Sequence, residues 1–230
     1  LLGFALAWAV REDVTLALGI VLLAACPGGA TSNIVSFIAG ANTALSVSFT
    51  AVTSTLSFLT VPLIVNLGLR VFAGGGEAIS LSLIETSRKI FLLTLLPIGV
   101  GMTLKATLPR LVARIAPLLQ PLGSLLLATI LLVIFVLNWQ LLIEQFWRFA
   151  PVAVALTTVA GLVGSAAARA RDLGRADRFT ISIEVGFQNI SLAQLIAATL
   201  LGRPELGLLA AIYPFANWVP LLPWLLHFRR

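Results

Sequence analysis

Glu184 is the residue whose position in this sequence most needs a chemical reason. It lies inside an apolar run, with Thr180-Ile181-Ser182-Ile183 before it and Ile190-Ser191-Leu192-Ala193 soon after. A carboxylate at membrane depth costs several kcal/mol unless something compensates it, so the default reading is functional. The bland alternative is a shallow glutamate that reaches the interface, six residues after Arg178. Gln188 and Asn189 weigh against that, because they lie deeper still. Gly186 weakens the helix between them, and unwound backbone at membrane depth is tolerated only where it lines a cavity or is covered by protein. An unwound turn frees carbonyl oxygens. Together with carboxylate and amide oxygens, these suit a hard monovalent cation, while half-helix N-termini suit an anion.

A matching set stands about 150 residues earlier. Cys26-Pro27-Gly28-Gly29 interrupts an apolar stretch and is followed by Thr31, Ser32 and Asn33. Pro27 has no N–H to donate, so the helical ladder breaks there. Ser32 and Asn33 offer side-chain oxygens at the start of the second half-helix; simple N-capping is the competing role. Next along the chain, Ser46, Thr50, Thr53 and Ser57 recur at i, i+4, i+7 and i+11 and form one hydroxyl stripe. Small hydroxyl residues in membrane helices mostly serve packing and interhelical hydrogen bonds. That role is assigned to Thr53 and Ser57. Ser46 and Thr50 are held beside the first break by the short connection near Gly40, and a functional role is assigned to them.

The elements that must position these residues are membrane spans. Hydrophobic residues make up 59% of the 230 and charged residues 10%, against about 25% charged in soluble domains. Mean hydropathy is +1.05. A water-soluble domain and a disordered chain are both excluded, and the single cysteine, Cys26, excludes a disulfide scaffold. A span takes about 20 apolar residues, so the length admits at most about eight. One discontinuous helix is expected over 14–39, a hydroxyl-rich span over 42–67, and a glycine loop at Gly74-Gly75-Gly76. Further spans are expected over 81–108, 117–142 and 149–168, then a charged loop over 169–178. A second discontinuous helix is expected over 179–201 and a last span over 206–228. The fold class is therefore an all-α polytopic membrane protein, one membrane domain over 1–230. Residues 1–10 begin in mid-helix without an initiator methionine and read as the tail of a span that starts upstream. Two broken helices, with Ser32-Asn33-Ile34 set against Gln188-Asn189-Ile190, suggest an inverted-repeat transporter whose breaks meet at the midplane.

The net charge of +6 suits membrane orientation better than nucleic acid, because the basic residues sit between apolar runs. Nine basic residues fall on the side of the 105–114 and 169–178 loops and the C-terminus, against six on the other. This places the C-terminus in the cytoplasm, in a multi-pass protein of the cell inner or plasma membrane. No enzyme is expected: there is no phosphate loop, no paired catalytic carboxylates and no Ser/His/Asp set. His227 stands alone, so no metal centre of the usual kind is expected either.

Cys26-Pro27-Gly28-Gly29-Ala30-Thr31-Ser32-Asn33 and Glu184-Val185-Gly186-Phe187-Gln188-Asn189 resemble the two crossing-helix motifs of the bile acid:sodium symporter family. Ala44-Leu45-Ser46-Val47-Ser48-Phe49-Thr50 is similar to the helix that follows the first motif there. The resemblance implies a bacterial-type, N-terminally truncated member of a ten-span fold, with the first two spans and most of the third absent. It further implies two inverted repeats, a panel and a core domain, and transport of an organic anion, bile-acid-like or a small carboxylate, with two sodium ions by alternating access. Carried over by motif, one sodium site would use Ser32, Asn33, Ser46, Thr50 and Glu184. The other would use Glu184, Gln188 and the carbonyls of Val185 and Phe187, with a further glutamine from upstream of Leu1. Asn33 and Asn189 would face the substrate. The implied partners are a small organic anion and the lipid bilayer, with no nucleic acid and no obligatory protein partner. A proton-coupled organic anion carrier of the same fold is the alternative, with Glu184 as the proton site.

Overall fold

The computed structural model describes residues 1–73, 82–92, 96–137 and 139–229. The glycine loop at 74–76 and the basic Arg230 used in the orientation count lie outside the described residues.

The first elements are α1 (Leu2–Ala9), α2 (Val14–Ala25) and α3 (Ala30–Ala39). Asp13 caps α2, its carboxylate accepting from the Leu16 N–H at 3.1 Å. The same carboxylate accepts from Arg148 Nε at 2.7 Å. α2 carries apolar residues on every side, and a helix of that kind belongs in the interior. It is the centre of the core: Ile20 and Leu23 are 0% exposed. Cys26 leaves the helix in an extended conformation, Pro27 supplies no N–H, and α3 starts after an extended Gly29. Gly40 ends α3 in the left-handed region, at φ 71°.

α4 (Thr43–Phe72) begins at an Asn42 cap and runs five residues beyond the expected end. Pro62 lies within it and cannot donate to the carbonyl of Phe58, four residues back. The Ser87 hydroxyl of α5 (Leu83–Ile90) donates to that orphaned carbonyl at 2.7 Å. Within the expected span over 81–108, the described helical residues are α5 and α6 (Leu96–Thr107), and residues 81 and 93–95 lie outside the described residues. α5 is a short polar helix, with a Ser82 cap and a Lys89–Glu85 pair at 2.8 Å.

α7 (Pro109–Leu137) and α8 (Trp139–Arg169) both start earlier than the apolar pattern indicates. Their leading turns hold Arg110, Arg114, Glu144 and Arg148, which mark the edge of the apolar zone but do not stop a helix. Long side chains at such ends reach for the interface. Pro117 and Pro121 lie inside α7. α9 (Arg175–Gly186) ends at the second break, and α10 (Ile190–Leu195) continues as a π-turn over Ile196–Leu200. A short 3₁₀ turn, Pro204–Gly207, leads into α11 (Leu208–Ala216) and α12 (Trp218–Arg229). The last expected span is thus distorted at Asn217. Pro220 cannot donate to the Ala216 carbonyl there.

The core gathers α2, the inner half of α4 (Val61, Val65, Leu69), α8 (Phe149, Ala153, Leu156) and α11 (Leu209, Ile212, Tyr213). Small residues let these helices approach: a Cβ on Gly68 would sit 2.7 Å from Val21 Cγ1, and one on Gly19 would sit 3.2 Å from the Leu206 carbonyl. Among the described residues, three helical stretches, Thr43–Phe72, Ile143–Arg169 and Pro204–Phe228, are long and apolar enough to cross a membrane. Val14–Ala25, Ala30–Ala39 and Ile190–Leu200 are apolar but too short to cross alone, while Arg175–Gly186 opens on charged residues. α6 and α7 are peripheral, with Val100, Met102, Leu118, Leu125 and Val136 facing outward, whereas Ile90 of α5 is buried in the core.

Candidate functional site

The two breaks cross. Gly28 and Gln188 form an isolated antiparallel bridge, and the Asn189 N–H donates to the Pro27 carbonyl at 2.8 Å. Each break thereby satisfies part of the backbone that its own helix has abandoned. Contact this close requires bare backbone. A Cβ on Gly28 would fall 2.2 Å from Glu184 Oε1, and a Cβ on Gly29 would fall 3.3 Å from the Asn189 Cα.

Glu184 is 3% exposed. Ser46 Oγ donates to its Oε2 at 2.9 Å and Thr50 Oγ1 to its Oε1 at 2.5 Å. Thr50 Oγ1 also lies 3.3 Å from Asn33 Oδ1. The hydroxyl stripe therefore divides, the two residues nearest the first break from the two beyond it. Ser46 and Thr50 turn to the carboxylate, while Thr53 and Ser57 donate back to carbonyls of their own helix at 2.9 and 2.7 Å. Among the described residues the ion pairs are Lys89–Glu85, Arg148–Asp13 and Arg203–Glu205, and none reaches Glu184. A buried carboxylate compensated only by hydroxyl dipoles is an incomplete arrangement. A hydroxyl has one proton and two lone pairs, so Ser46 and Thr50 can donate to Glu184 and still present oxygen to a cation.

The other expected site residues are local. Ser32 is 0% exposed, but its hydroxyl donates to the Gly29 carbonyl at 2.6 Å. Gln188 Nε2 donates to the Val185 carbonyl at 2.7 Å. Asn189 caps α10, its Oδ1 accepting from the Leu192 N–H at 3.0 Å. Phe187 packs its ring against Phe179, Ile183 and Leu221. Asn33, Ser46, Thr50 and Glu184 are thus brought together directly, while Ser32, Val185, Phe187, Gln188 and Asn189 build the crossing around them. The two asparagines are not equivalent: Asn33 is the fourth residue of α3, whereas Asn189 precedes α10.

Several polar residues of this region escaped the sequence reading. On the far side of α9, Tyr213 Oη donates to the Gly186 carbonyl at 2.5 Å, Thr157 Oγ1 to Asn217 Oδ1 at 2.5 Å, and Ser182 Oγ to the Gly161 carbonyl at 2.8 Å. Toward the 40–42 turn, Asn42 Nδ2 donates to Asp177 Oδ1 at 2.7 Å and the Asn42 N–H to Thr180 Oγ1 at 3.0 Å. Ser36, one turn beyond Ser32, is 0% exposed and its hydroxyl has no partner. The available signal was a polar residue inside an apolar run; Tyr213, the sole tyrosine of the chain, meets it.

Two broken helices cross over a buried cluster of oxygens, in a chain whose apolar helices are those of a multi-pass membrane protein. The Sodium Bile acid symporter family matches residues 1–145, and the chain belongs to it. That family consists of transporters, not enzymes. The chain is 28% identical over 213 residues to a probable sodium/metabolite cotransporter BASS2, chloroplastic, of Oryza sativa, covering 92% of this chain and 49% of the relative. It is 28% identical over 197 residues to a sodium-dependent transporter, YocS, of Bacillus subtilis, covering 86% of this chain and 60% of the relative. A third relative, a probable sodium/metabolite cotransporter BASS1, chloroplastic, of Arabidopsis thaliana, is 28% identical, covering 82% and 45%. The chain spans about half the length of these curated relatives.

Proposed function

We propose that this chain carries the ion-binding core of a sodium-coupled symporter of a small organic anion, working by alternating access. The carrying observation is Glu184: buried, held by Ser46 and Thr50, with Asn33 beside Thr50, without a basic partner among the described residues, at the crossing of two broken helices. The relatives named for sodium-dependent transport and sodium/metabolite cotransport support the choice of sodium over a proton. Sodium is here a transported substrate. In the first site Glu184, Ser46, Thr50 and Asn33 supply oxygen directly, and Ser32 joins by turning its hydroxyl from Gly29. In the second, Glu184 is shared with Gln188 and the Val185 and Phe187 carbonyls. The anion follows the cations because they neutralise Glu184 and leave positive charge beside Asn33 and Asn189. The two crossing helices are the related elements of an inverted-repeat, ten-span architecture, with the C-terminus on the cytoplasmic side.

Two sodium ions entering with one monoanion carry one net positive charge inward. A potential of about 100 mV, negative inside, then adds roughly 2.3 kcal/mol of drive per cycle. Uptake by the intact protein is expected to rise with that potential and to show a sodium Hill coefficient above one. Replacing Glu184 with Gln keeps size and one oxygen but removes the charge, so sodium-dependent accumulation is expected to vanish while expression and folding persist. Sodium-coupled uptake retained in that variant overturns the assignment. Uptake that follows pH and ignores sodium points to proton coupling.

A further inference from the structure

Gly186 is a weak point in the second break. It is the last residue of α9, its carbonyl is among those that a helix end leaves open, and glycine restrains φ and ψ less than any other residue. It is needed for space: a Cβ there would lie 3.1 Å from the Thr157 carbonyl, where α8 presses on α9. The peptide plane from Gly186 to Phe187 is nevertheless pinned at both edges. The Phe187 N–H donates to the Ile183 carbonyl at 2.8 Å, and the Gly186 carbonyl accepts from Tyr213 Oη at 2.5 Å. A peptide unit is rigid, so the planes on either side, which carry the Val185 and Phe187 carbonyls, pivot from this fixed one. Tyr213 is itself immobile: it is 0% exposed, and Thr157 of α8 holds the end of its helix by donating to Asn217 Oδ1, one turn further along, at 2.5 Å.

We propose that Tyr213 is a positioning residue for cation binding: from α11, it fixes the Gly186–Phe187 peptide and thereby aims the Val185 and Phe187 carbonyls at the cation beside Glu184. This rests on the sodium reading above. Tyr213 touches neither Glu184 nor the hydroxyls that hold it, so it acts only through the backbone of the break. It supplies from a neighbouring helix the rigidity that Gly186 lacks. It also ties α11 to the ion site, so a shift of α11 is felt as a change in the carbonyls offered to the ion.

The test is Tyr213→Phe, which keeps the ring and removes the hydroxyl. The readout is the thermal stability of the purified protein titrated with sodium chloride at constant ionic strength against potassium chloride. Loss of an outer partner that orients ligands typically weakens metal affinity at least about tenfold. The sodium concentration for half-maximal stabilisation is expected to rise by about that factor, and the Hill coefficient to fall toward one. A variant that melts lower by the same amount in both salts, with an unchanged sodium midpoint, overturns the proposal and leaves Tyr213 a packing residue. Should Tyr213→Phe not fold, Thr157→Val is titrated with Thr157→Ser as its conservative control. The proposal expects a raised sodium midpoint in the first and a wild-type midpoint in the second; equal midpoints overturn it. A wild-type protein equally stable in both salts overturns the sodium reading itself.

Discussion

The first break is built from absences and the second from attachments. Pro27 has no N–H, and Gly28 and Gly29 have no side chains. The space left by the missing Cβ of Gly28 is where Glu184 Oε1 lies. At the second break the open valences are filled: Gln188 binds the Val185 carbonyl, Tyr213 binds the Gly186 carbonyl, and Asn189 caps α10. One helix brings the charge and is fixed in place, while the other clears room for it. Two segments that look alike in one dimension therefore do complementary work, and substitutions in them fail in different ways.

The largest effect is expected at the first break. Gly28→Ala puts a methyl group where Glu184 Oε1 stands, so the carboxylate must leave its hydroxyl partners. Sodium-dependent stabilisation should disappear, as is expected for Glu184→Gln too, while the protein still folds; a thermal titration in sodium against potassium reads both. A wild-type sodium response in Gly28→Ala would show that the carboxylate has another productive position. Thr50→Val comes next. It keeps the shape but removes a hydrogen bond to a charged group, typically worth about 1.5–3 kcal/mol. The sodium midpoint should rise roughly tenfold, by the same titration. At the second break Asn189→Ala removes a cap, and loss of about 1 kcal/mol of stability is expected in denaturant unfolding, sodium present or not. The smallest effect sharpens the comparison within α4. Thr53→Ala and Ser57→Ala should leave the sodium midpoint unchanged, because both hydroxyls are spent on their own helix.

What the sequence disclosed followed from chemistry local to a residue. Pro27 followed by two glycines breaks a helix whatever surrounds it, and the spacing of Ser46 and Thr50 places them on one face whatever they face. Glu184 stood out because an ionised group in an apolar run has few reasons to be there. What stayed hidden was decided between helices. In sequence the Ser32 hydroxyl reads as a ligand with helix capping as the competing role, and the packed structure shows it on the Gly29 carbonyl. Tyr213 was one aromatic among many until α11 placed it 27 residues away in sequence from its acceptor. The starts of α7 and α8 were misread because charged residues bound the apolar zone, whereas helices run on through them. The likeness of Ser32-Asn33-Ile34 to Gln188-Asn189-Ile190 failed as a register, since only one of its asparagines caps a helix.

The hydroxyl that Ser87 lends to Phe58 has a consequence for how the chain is made. Residues leave the ribosome in order, so α4 enters the translocon with Pro62 already interrupting its ladder and a bare carbonyl on its flank. That carbonyl stays unsatisfied until 29 more residues have followed and α5 docks. An unpaired backbone group in lipid costs several kcal/mol, so α4 is held near water or near the translocon wall until then. The helix that presents Ser46 and Thr50 is thus completed during biogenesis by a serine from the next one, and a Ser87→Ala chain should linger at the translocon, visible as prolonged crosslinking of α4 to it.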